Sequence, residues 1–491
     1  MVERAAAATD DGSAGSVGHP TQFSKRCISM RTTRALEPEV AISPPESEPA
    51  TQNIFPLRLT PFEYYYLLED RPDYPSVFYV RLECRGALDR EAFERAFRFA
   101  HTRHPLLSAG LERDRDGWPI WVVGQPDPIQ WDHHTVAARE TFLGATVAPR
   151  LQASVTQEGE RSTLTFAFHH VAVDGMGGFQ FIADLMTAYA HDCTSAPGVL
   201  KFPALDQRLL KTRNDHTLFQ RGFRLIDLVR FPRVALPLLL QRVARLRGDV
   251  QEVAAGSGPQ LPSDFLIHTL TEQQTATLAR VARKLSVRLH ELLLRDYFLM
   301  LAAWNEGSSE ARWPIRVLVP TNLRRRQHHR MSAANLFGYT FLTRRGKHCQ
   351  NRNQLLDSIR SETSAIKSTG RAMYHEANLY VGCIWPPLLR SSLERKSPFA
   401  TAVFTNLNAS FNHVPLPLRD GRRVAGDLIV ENGYGAGPIR PDTRVSLAIH
   451  NYAGRMTLAF RCDQYVFGQD QQQAIVQAYL DQLDTTAQCE S

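Results

Sequence analysis

The sequence predicts an α/β protein in two parts, each a mixed sheet flanked by helices, and three observations carry that expectation. At 491 residues the chain exceeds what one compact core accommodates and suits two parts of roughly 200 residues each, plus extensions. Both halves alternate short β-branched and aromatic runs with apolar sets at helical spacing, the pattern of mixed strands and helices. Apolar residues make up 43% of the chain and charged residues 22%, the balance of an ordinary protein with a buried core.

The elements follow in order. Residues 1–52 are rich in Ala, Ser, Pro, Thr and Glu, bury too little apolar surface to order themselves, and are expected to be a disordered tail, with Met30 an alternative first residue. The first ordered part is expected over 53–200. Val77 to Cys84 reads as a strand from its β-branched and aromatic content. Asp89 is a plausible N-cap for a helix that buries Phe93, Ala96, Phe97 and Ala100, and Pro105 ends it. A strand over 118–123 follows, then the apolar run Leu164 to Phe168 and, after a tight loop, an amphipathic helix over 178–189.

Residues 201–260 differ in character. Between Lys201 and Arg247 bases outnumber acids and alternate with Phe219, Phe223, Ile226 and Phe231, giving a basic amphipathic crossover broken by Pro232 and Pro237. Packing on both parts is its first reading; peripheral contact with a membrane surface or acyl chains is its second. Residues 254–259 read as a linker. The last part, 261–491, opens with a strand at Phe265 to His268, and Thr271 with Gln274 has the form of a capping box for a helix through Leu285. A longer apolar helix over 289–304, a buried strand from Arg316 to Pro320, late strands at Ala402 to Thr405, Val445 to Ile449 and Met456 to Phe460, and a closing helix over 471–483 complete the reading.

Composition excludes several classes. The net charge of +7 is modest over this length and fits an anionic ligand or surface; with no zinc-finger spacing, basic heptads or RNA-binding aromatic motif, a nucleic-acid partner is not expected. The seven cysteines are scattered, odd in number and form no Cys-x-x-Cys pair, which points to reduced thiols in the cytoplasm. No apolar run reaches the roughly 18 residues of a membrane span, and the first 29 residues lack the apolar stretch of a secretory signal.

The stretch that carries chemistry is His169-His170-Val171-Ala172-Val173-Asp174-Gly175, between the expected strand and helix. A histidine at the end of a rigid strand is a general-base candidate. Asp174 invites a triad reading, and Gly175 with Gly177-Gly178 suggests backbone conformations or close approaches closed to other residues. A metal site is not expected, because adjacent strand residues point to opposite faces and Asp174 alone would not complete a ligand set. The His328-His329 pair reads as solvated surface in a basic loop.

These pieces together resemble the superfamily of CoA-dependent acyltransferases and peptide-synthetase condensation domains. The resemblance rests on the HHxxxDG motif over 169–175, on Arg103-His104-Pro105-Leu106-Leu107, on 319–326 with its Pro-x-x-Leu-Arg form, and on Asn335-Leu336-Phe337-Gly338. Thr405-Asn406-Leu407 and residues 451–463 are similar to late elements of the free-standing alcohol or wax-ester branch, and the resemblance spans about residues 55–485 in order. It implies two chloramphenicol-acetyltransferase-like subdomains with the active site in a channel between them. It further implies acyl transfer from a thioester, on CoA or on a carrier protein's phosphopantetheine, to a hydroxyl or amine, with no bound cofactor and no metal. His170 is then the base and His169 a packing or hydrogen-bonding residue. Asp174 points away from the site and pairs with an arginine, for which Arg324 is the best candidate by motif position, and Gly175 belongs to the held loop. Asn406 or Thr405 is the candidate oxyanion or substrate contact.

Two departures limit the resemblance. The Asp-Phe-Gly-Trp-Gly signature of plant acyltransferases is replaced by Glu431-Asn432-Gly433-Tyr434-Gly435, and the late signatures of peptide-synthetase condensation domains are not evident, which favours a free-standing ester- or amide-forming enzyme. The rival from another class is a non-catalytic binding or scaffolding protein that kept the fold.

Overall fold

Central strands form where apolar residues run almost without interruption, and a computed structural model shows two sheets built on such strands. It describes residues 54–132, 150–193, 202–215, most of 232–248, 265–370, positions 372, 374 and 379, and 398–407 and 414–489. All of them lie in one unit, Ala41–Ser491. The expected tail, the linker at 254–259, Cys27 and Cys383 lie outside the described residues.

The first part of the chain supplies β1 (Leu57–Arg58), α1 (Pro61–Glu69), β2 (Val77–Arg85), α2 (Arg90–Arg103), β3 (Gly110–Arg113), β4 (Pro119–Val122), β5 (Gln130–Asp132), β6 (Leu151–Glu158), β7 (Arg161–His169) and α3 (Gly175–Cys193). The later part supplies β8 (Leu266–Thr269), α4 (Glu272–Lys284), α5 (Leu289–Trp304), β9 (Ile315–Asn322), β10 (Phe337–Arg344), α6 (Arg352–Thr369), β11 (Ala402–Asn406), β12 (Leu418–Arg419), β13 (Arg422–Ala425), β14 (Leu428–Ala436), β15 (Val445–Tyr452), β16 (Arg455–Cys462) and α7 (Gln469–Cys489). β1, β4 and β3 form a small sheet of their own.

Two larger sheets carry the fold. One is seven-stranded, in the order β12-β13-β14-β2-β7-β6-β5, and the other six-stranded, in the order β10-β9-β11-β15-β16-β8. Both are mixed: β5 and β6 run parallel in the first, and β11 runs parallel to β9 and β15 in the second. The ribbon β12–β14, which comes late in the chain, pairs with β2 in the first sheet, Val80 opposite Gly435 and Cys84 opposite Val430. The later part therefore lends a strand ribbon to the first sheet, and one hydrophobic core gathers Leu428 and Val430 with Leu164, Phe166 and Phe168.

Local chemistry explains the helices that frame the site. Asp89 accepts a hydrogen bond from Ala92 N at 3.0 Å, and α2 buries Phe93, Ala96, Phe97 and Ala100. Burying one such phenylalanine fully stabilises the fold by about 1.5–3 kcal/mol. Thr271 and Gln274 form the capping box expected for α4, Gln274 N donating to Thr271 Oγ1 at 3.2 Å. Thr60 and Glu63 make a second box on α1, a helix start that the sequence pattern did not suggest.

Glu63 has a further task. Its buried carboxylate accepts from Arg213 at 2.7 and 2.8 Å, which docks the 202–215 stretch of the basic crossover onto α1. Among the described residues no helix is long and apolar enough to cross a membrane.

Candidate active site

β7 ends at His169, and the chain then turns sharply into α3, so the two histidines face different surroundings. His169 is fully buried; its Nδ1 accepts from Val171 N at 3.0 Å, which puts the ring proton on Nε2, 3.2 Å from Asp70 Oδ2. Asp70 in turn accepts from Ser76 N at 2.9 Å. Burial holds the His169 pKa below the usual imidazole value, with Asp70 opposing. Its imidazole thus ties the end of β7 to the end of α1.

His170 sits in an aromatic enclosure. Tyr66 lies stacked on it, with ring centroids 4.7 Å apart and planes 13° from parallel, while Phe78 and Phe337 close the other sides at 4.6 and 5.6 Å. Burial pushes the His170 pKa down to about 3, the nearby Arg440 cation pushes the same way, and Asp174 opposes them. The His170 Nδ1 is buried with no hydrogen-bond partner of normal geometry among the described residues. The backbone is pinned instead: His170 N donates to Ser76 O at 2.8 Å, and Asn335 Nδ2 donates to His170 O at 2.6 Å.

Asp174 turns to the other side of the loop. Arg324 donates to it twice, Nη1 to Oδ2 at 2.7 Å and Nη2 to Oδ1 at 2.9 Å. Leu336 N and Gly177 N each add a bond at 2.8 Å, the second of them capping α3. Four donors fill the four lone-pair positions of a carboxylate, leaving none to orient His170. The structure thus joins Asp174, Arg324 and the 334–337 segment into one clamp, and a Ser-His-Asp-like triad does not form.

The glycines serve by size. None of Gly175, Gly177 and Gly178 has a positive φ, so the left-handed backbone expected as one option for them is absent. Close approach is what position 177 requires, since a Cβ there would stand 2.4 Å from Val173 Cγ2 and 3.2 Å from the Ala334 backbone. A Cβ on Gly175 would instead meet the Leu407 side chain at 3.5 Å, in ordinary contact. Leu407 follows Thr405 and Asn406 at the end of β11, which places both partly exposed candidate oxyanion residues on a strand bordering the loop.

The Arg103-His104-Pro105 element also belongs to this scaffold. Arg103 and His104 both reach Asp184 of α3, at 2.6 and 3.0 Å, and Ala333 N donates to His104 Nδ1 at 3.0 Å. That linkage fixes the segment leading to Asn335. One surface reading fails: His328 is buried, its Nε2 2.9 Å from Asp215 and its Nδ1 accepting from Arg325 N, because the 202–215 stretch packs over it. Cys193, a thiol that could in principle act as a nucleophile, lies at the far end of α3 from His170, and burial raises its pKa.

Several residues at the site carried no recognised signal. Tyr65, Tyr66 and Glu69 come from α1, Tyr339 from β10 and Arg440 from the loop after β14, and they meet beside His170. Arg440 pairs with Glu69 at 2.6 Å and donates to the Tyr339 hydroxyl at 2.8 Å. The Tyr64-Tyr65-Tyr66 run inside a capped helix was the one clue available in the sequence. Among the described residues no three His, Cys, Asp or Glu side chains are grouped to hold a metal ion.

Comparison with solved structures decides the fold. The chain superposes on the first condensation domain of the calcium-dependent antibiotic synthetase with a TM-score of 0.65 at 14% identity, covering 88% of this chain and 96% of that one. This is the condensation-domain fold. Trichothecene 15-O-acetyltransferase of Fusarium sporotrichioides shares it, with a TM-score of 0.66 at 12% identity over 90% of this chain and 98% of the enzyme. So does a mutant starter condensation domain of rhizomide synthetase in complex with C8-CoA, with a TM-score of 0.62 at 14% identity over 88% and 95%.

Among curated sequences, an uncharacterized protein of Mycobacterium tuberculosis is 24% identical over 451 residues, 87% of this chain and 99% of the relative. A plipastatin synthase polypeptide of Bacillus subtilis is 25% identical over 307 residues, 58% of this chain but 11% of that synthase polypeptide. No protein-family model matches the chain. In the condensation fold described here, His170 follows β7, an interior strand of the seven-stranded sheet, and Phe337 and Asn335 bring the other sheet's β10 against it.

Proposed function

We propose that this chain is an acyltransferase, of the alcohol or wax-ester type, that moves an acyl group from a thioester to a hydroxyl or amine. The observation that carries the reading is a neutral, enclosed His170 on a loop clamped from both sheets by Asp174, Arg324 and Asn335. His170 Nε2 takes the proton from the acceptor O–H or N–H as that atom attacks the thioester carbonyl. The tetrahedral intermediate collapses by breaking the C–S bond, and the same proton passes to the departing thiolate. Ester or amide and free thiol result, without an acyl-enzyme. Asn406 or Thr405 would donate to the oxyanion.

The donor would be an acyl-CoA or an acyl group on a carrier protein's phosphopantetheine. Acyl-CoA accords with the C8-CoA held by the rhizomide synthetase neighbour, and a carrier protein with the synthetase systems to which the condensation neighbours belong. The acceptor is a small molecule.

A thiol-release assay across acyl-CoA chain lengths with pooled alcohols and amines tests the proposal. The wild type is expected to turn over at least one pair, and His170→Ala to lose about 10²–10⁴-fold while remaining folded. Undiminished turnover by His170→Ala sinks it. A non-catalytic binding role is the second reading, favoured by the close aromatic enclosure of His170; saturable acyl-CoA binding with no thiol release from the wild type would establish that reading instead.

A further inference from the structure

We propose that Tyr66 is the positioning residue for His170, taking the place of the orienting carboxylate of a triad, and that a buried ring of hydroxyls and charges through Tyr339, Arg440 and Glu69 fixes Tyr66 in turn. The inference rests on His170 being the base. A base must be held in the productive orientation, and a misplacement of about 1 Å costs roughly 10²-fold in rate. In a triad a carboxylate does this by hydrogen bonding. Here the nearest motif carboxylate, Asp174, is filled by four other donors, and His170 Nδ1 has no partner of normal geometry among the described residues.

Besides a backbone contact to Val173, the imidazole is held by aromatic faces. Phe78 and Phe337 meet the imidazole tilted by 44° and 33°, whereas Tyr66 lies 13° from parallel at 4.7 Å. An offset or parallel stack constrains a ring's rotation more than a tilted contact does. Tyr66 is also the one of the three with a polar handle, and that handle is used: its hydroxyl is hydrogen-bonded to the Tyr339 hydroxyl. Tyr339 accepts from Arg440 Nη2 at 2.8 Å, and Arg440 pairs with Glu69 at 2.6 Å.

Glu69 stands one turn after Tyr66 on α1, so the chain of contacts returns to the helix it left. Tyr65 reinforces the ring by donating to Glu69 Oε1 at 2.7 Å and bonding Arg440. The guanidinium lies 5.3 to 5.5 Å from the centres of the Tyr65, Tyr66 and Tyr339 rings, within cation–π range. The three tyrosine hydroxyls and Glu69 Oε1 are hydrogen-bonded within the ring, and Glu69 Oε2 is held by its ion pair with Arg440, which ties the members into one buried polar network.

The experiment uses the full chain, labelled at histidine, with the His170 signal assigned by its loss in His170→Ala. Tyr66→Leu, which removes the stack, is expected to lower kcat about 10²-fold with KM changed less than about twofold. Tyr66→Phe, which keeps it, recovers most of the loss. In parallel, the His170 signal of Tyr66→Leu broadens and titrates at higher pH, while Tyr66→Phe, which keeps the stack but loses the hydroxyl link to Tyr339, broadens far less than Tyr66→Leu and about as much as Tyr339→Phe. Folded Tyr66→Leu with unchanged kcat overturns the proposal, as does failure of Tyr66→Phe to recover activity.

If the wild type shows no turnover, the acyltransferase reading alone has failed, and an unaltered His170 signal in Tyr66→Leu then overturns the positioning role by itself. Tyr339→Phe covers the case in which Tyr66→Leu does not fold. Cutting the hydroxyl link should broaden the His170 signal, and an unchanged signal refutes the chain of contacts.

Discussion

Replacing Asp174 by asparagine isolates the clamp that holds the histidine loop. The carboxylate is nearly buried and accepts four hydrogen bonds, two of them from Arg324. Asparagine is as good a helix N-cap as aspartate, so the bond from Gly177 N can persist. The amide nitrogen cannot accept, which leaves Leu336 N and one or both Arg324 bonds unmade. Each hydrogen bond to a charged group contributes about 1.5–3 kcal/mol, and breaking a buried ion pair costs about 3–5 kcal/mol.

Arg324 keeps its bond to Ala334 O and its side chain is 20% exposed, which places the expected loss at the lower end, about 3 kcal/mol. Urea unfolding of Asp174→Asn, Arg324→Gln and the double variant measures it. A coupling energy of about 2 kcal/mol or more is expected from the double-mutant cycle, together with reduced turnover, because the clamp sets the loop from which His170 projects. Additive single effects, or an Asp174→Asn variant with unchanged unfolding midpoint and activity, would refute the reasoning.

Two further outcomes follow from the same geometry. Burial depresses the pKa of His101 and His170 to about 3 and of His290 and His450 to about 4. Groups neutral when folded but ordinary when unfolded contribute stability that is full above the unfolded value of about 6.5 and is lost as pH falls toward the folded values. At pH 5 each contributes about 2 kcal/mol less than at pH 7.5, about 8 kcal/mol together, so the melting midpoint should drop by about 8 °C for a chain of this length; a midpoint flat over that interval contradicts the burial of these rings. Gly177→Ala forces a Cβ to within 2.4 Å of Val173 Cγ2 and should destabilise by about 1–3 kcal/mol in urea unfolding, whereas Gly178→Ala, whose nearest contacts are Phe78 ring atoms at 3.2 Å, should cost less.

Much of the framework was legible because its causes are local. Thr271 with Gln274 announces a helix start through two reciprocal hydrogen bonds, Asp89 does so by capping Ala92, and the β-branched run from Val77 marks a strand buried on both faces. The strand-turn-helix around His169 to Gly175 was readable on the same grounds. The strand β14 was not recognised, since Leu428 to Ala436 holds two glycines and an asparagine and draws its pairing from β2, far earlier in the chain. His328 was misread for a similar reason: a basic neighbourhood suggests solvent, and the covering stretch lies more than a hundred residues away.

The sequence by itself determined the class of fold, the order of its main helices and strands, and the loop on which a histidine base could stand. Which way each side chain of that loop faces, and what holds His170, was decided by tertiary structure. Tyr66 and Tyr339 bond across 273 residues of sequence, and Arg440 reaches Glu69 across a longer interval still. Contacts of that kind leave no period, cap or composition in the chain; they exist because two sheets and a ribbon lent by the later part to the first sheet bring α1, β10 and the loop after β14 to one place, where buried polar groups must satisfy one another.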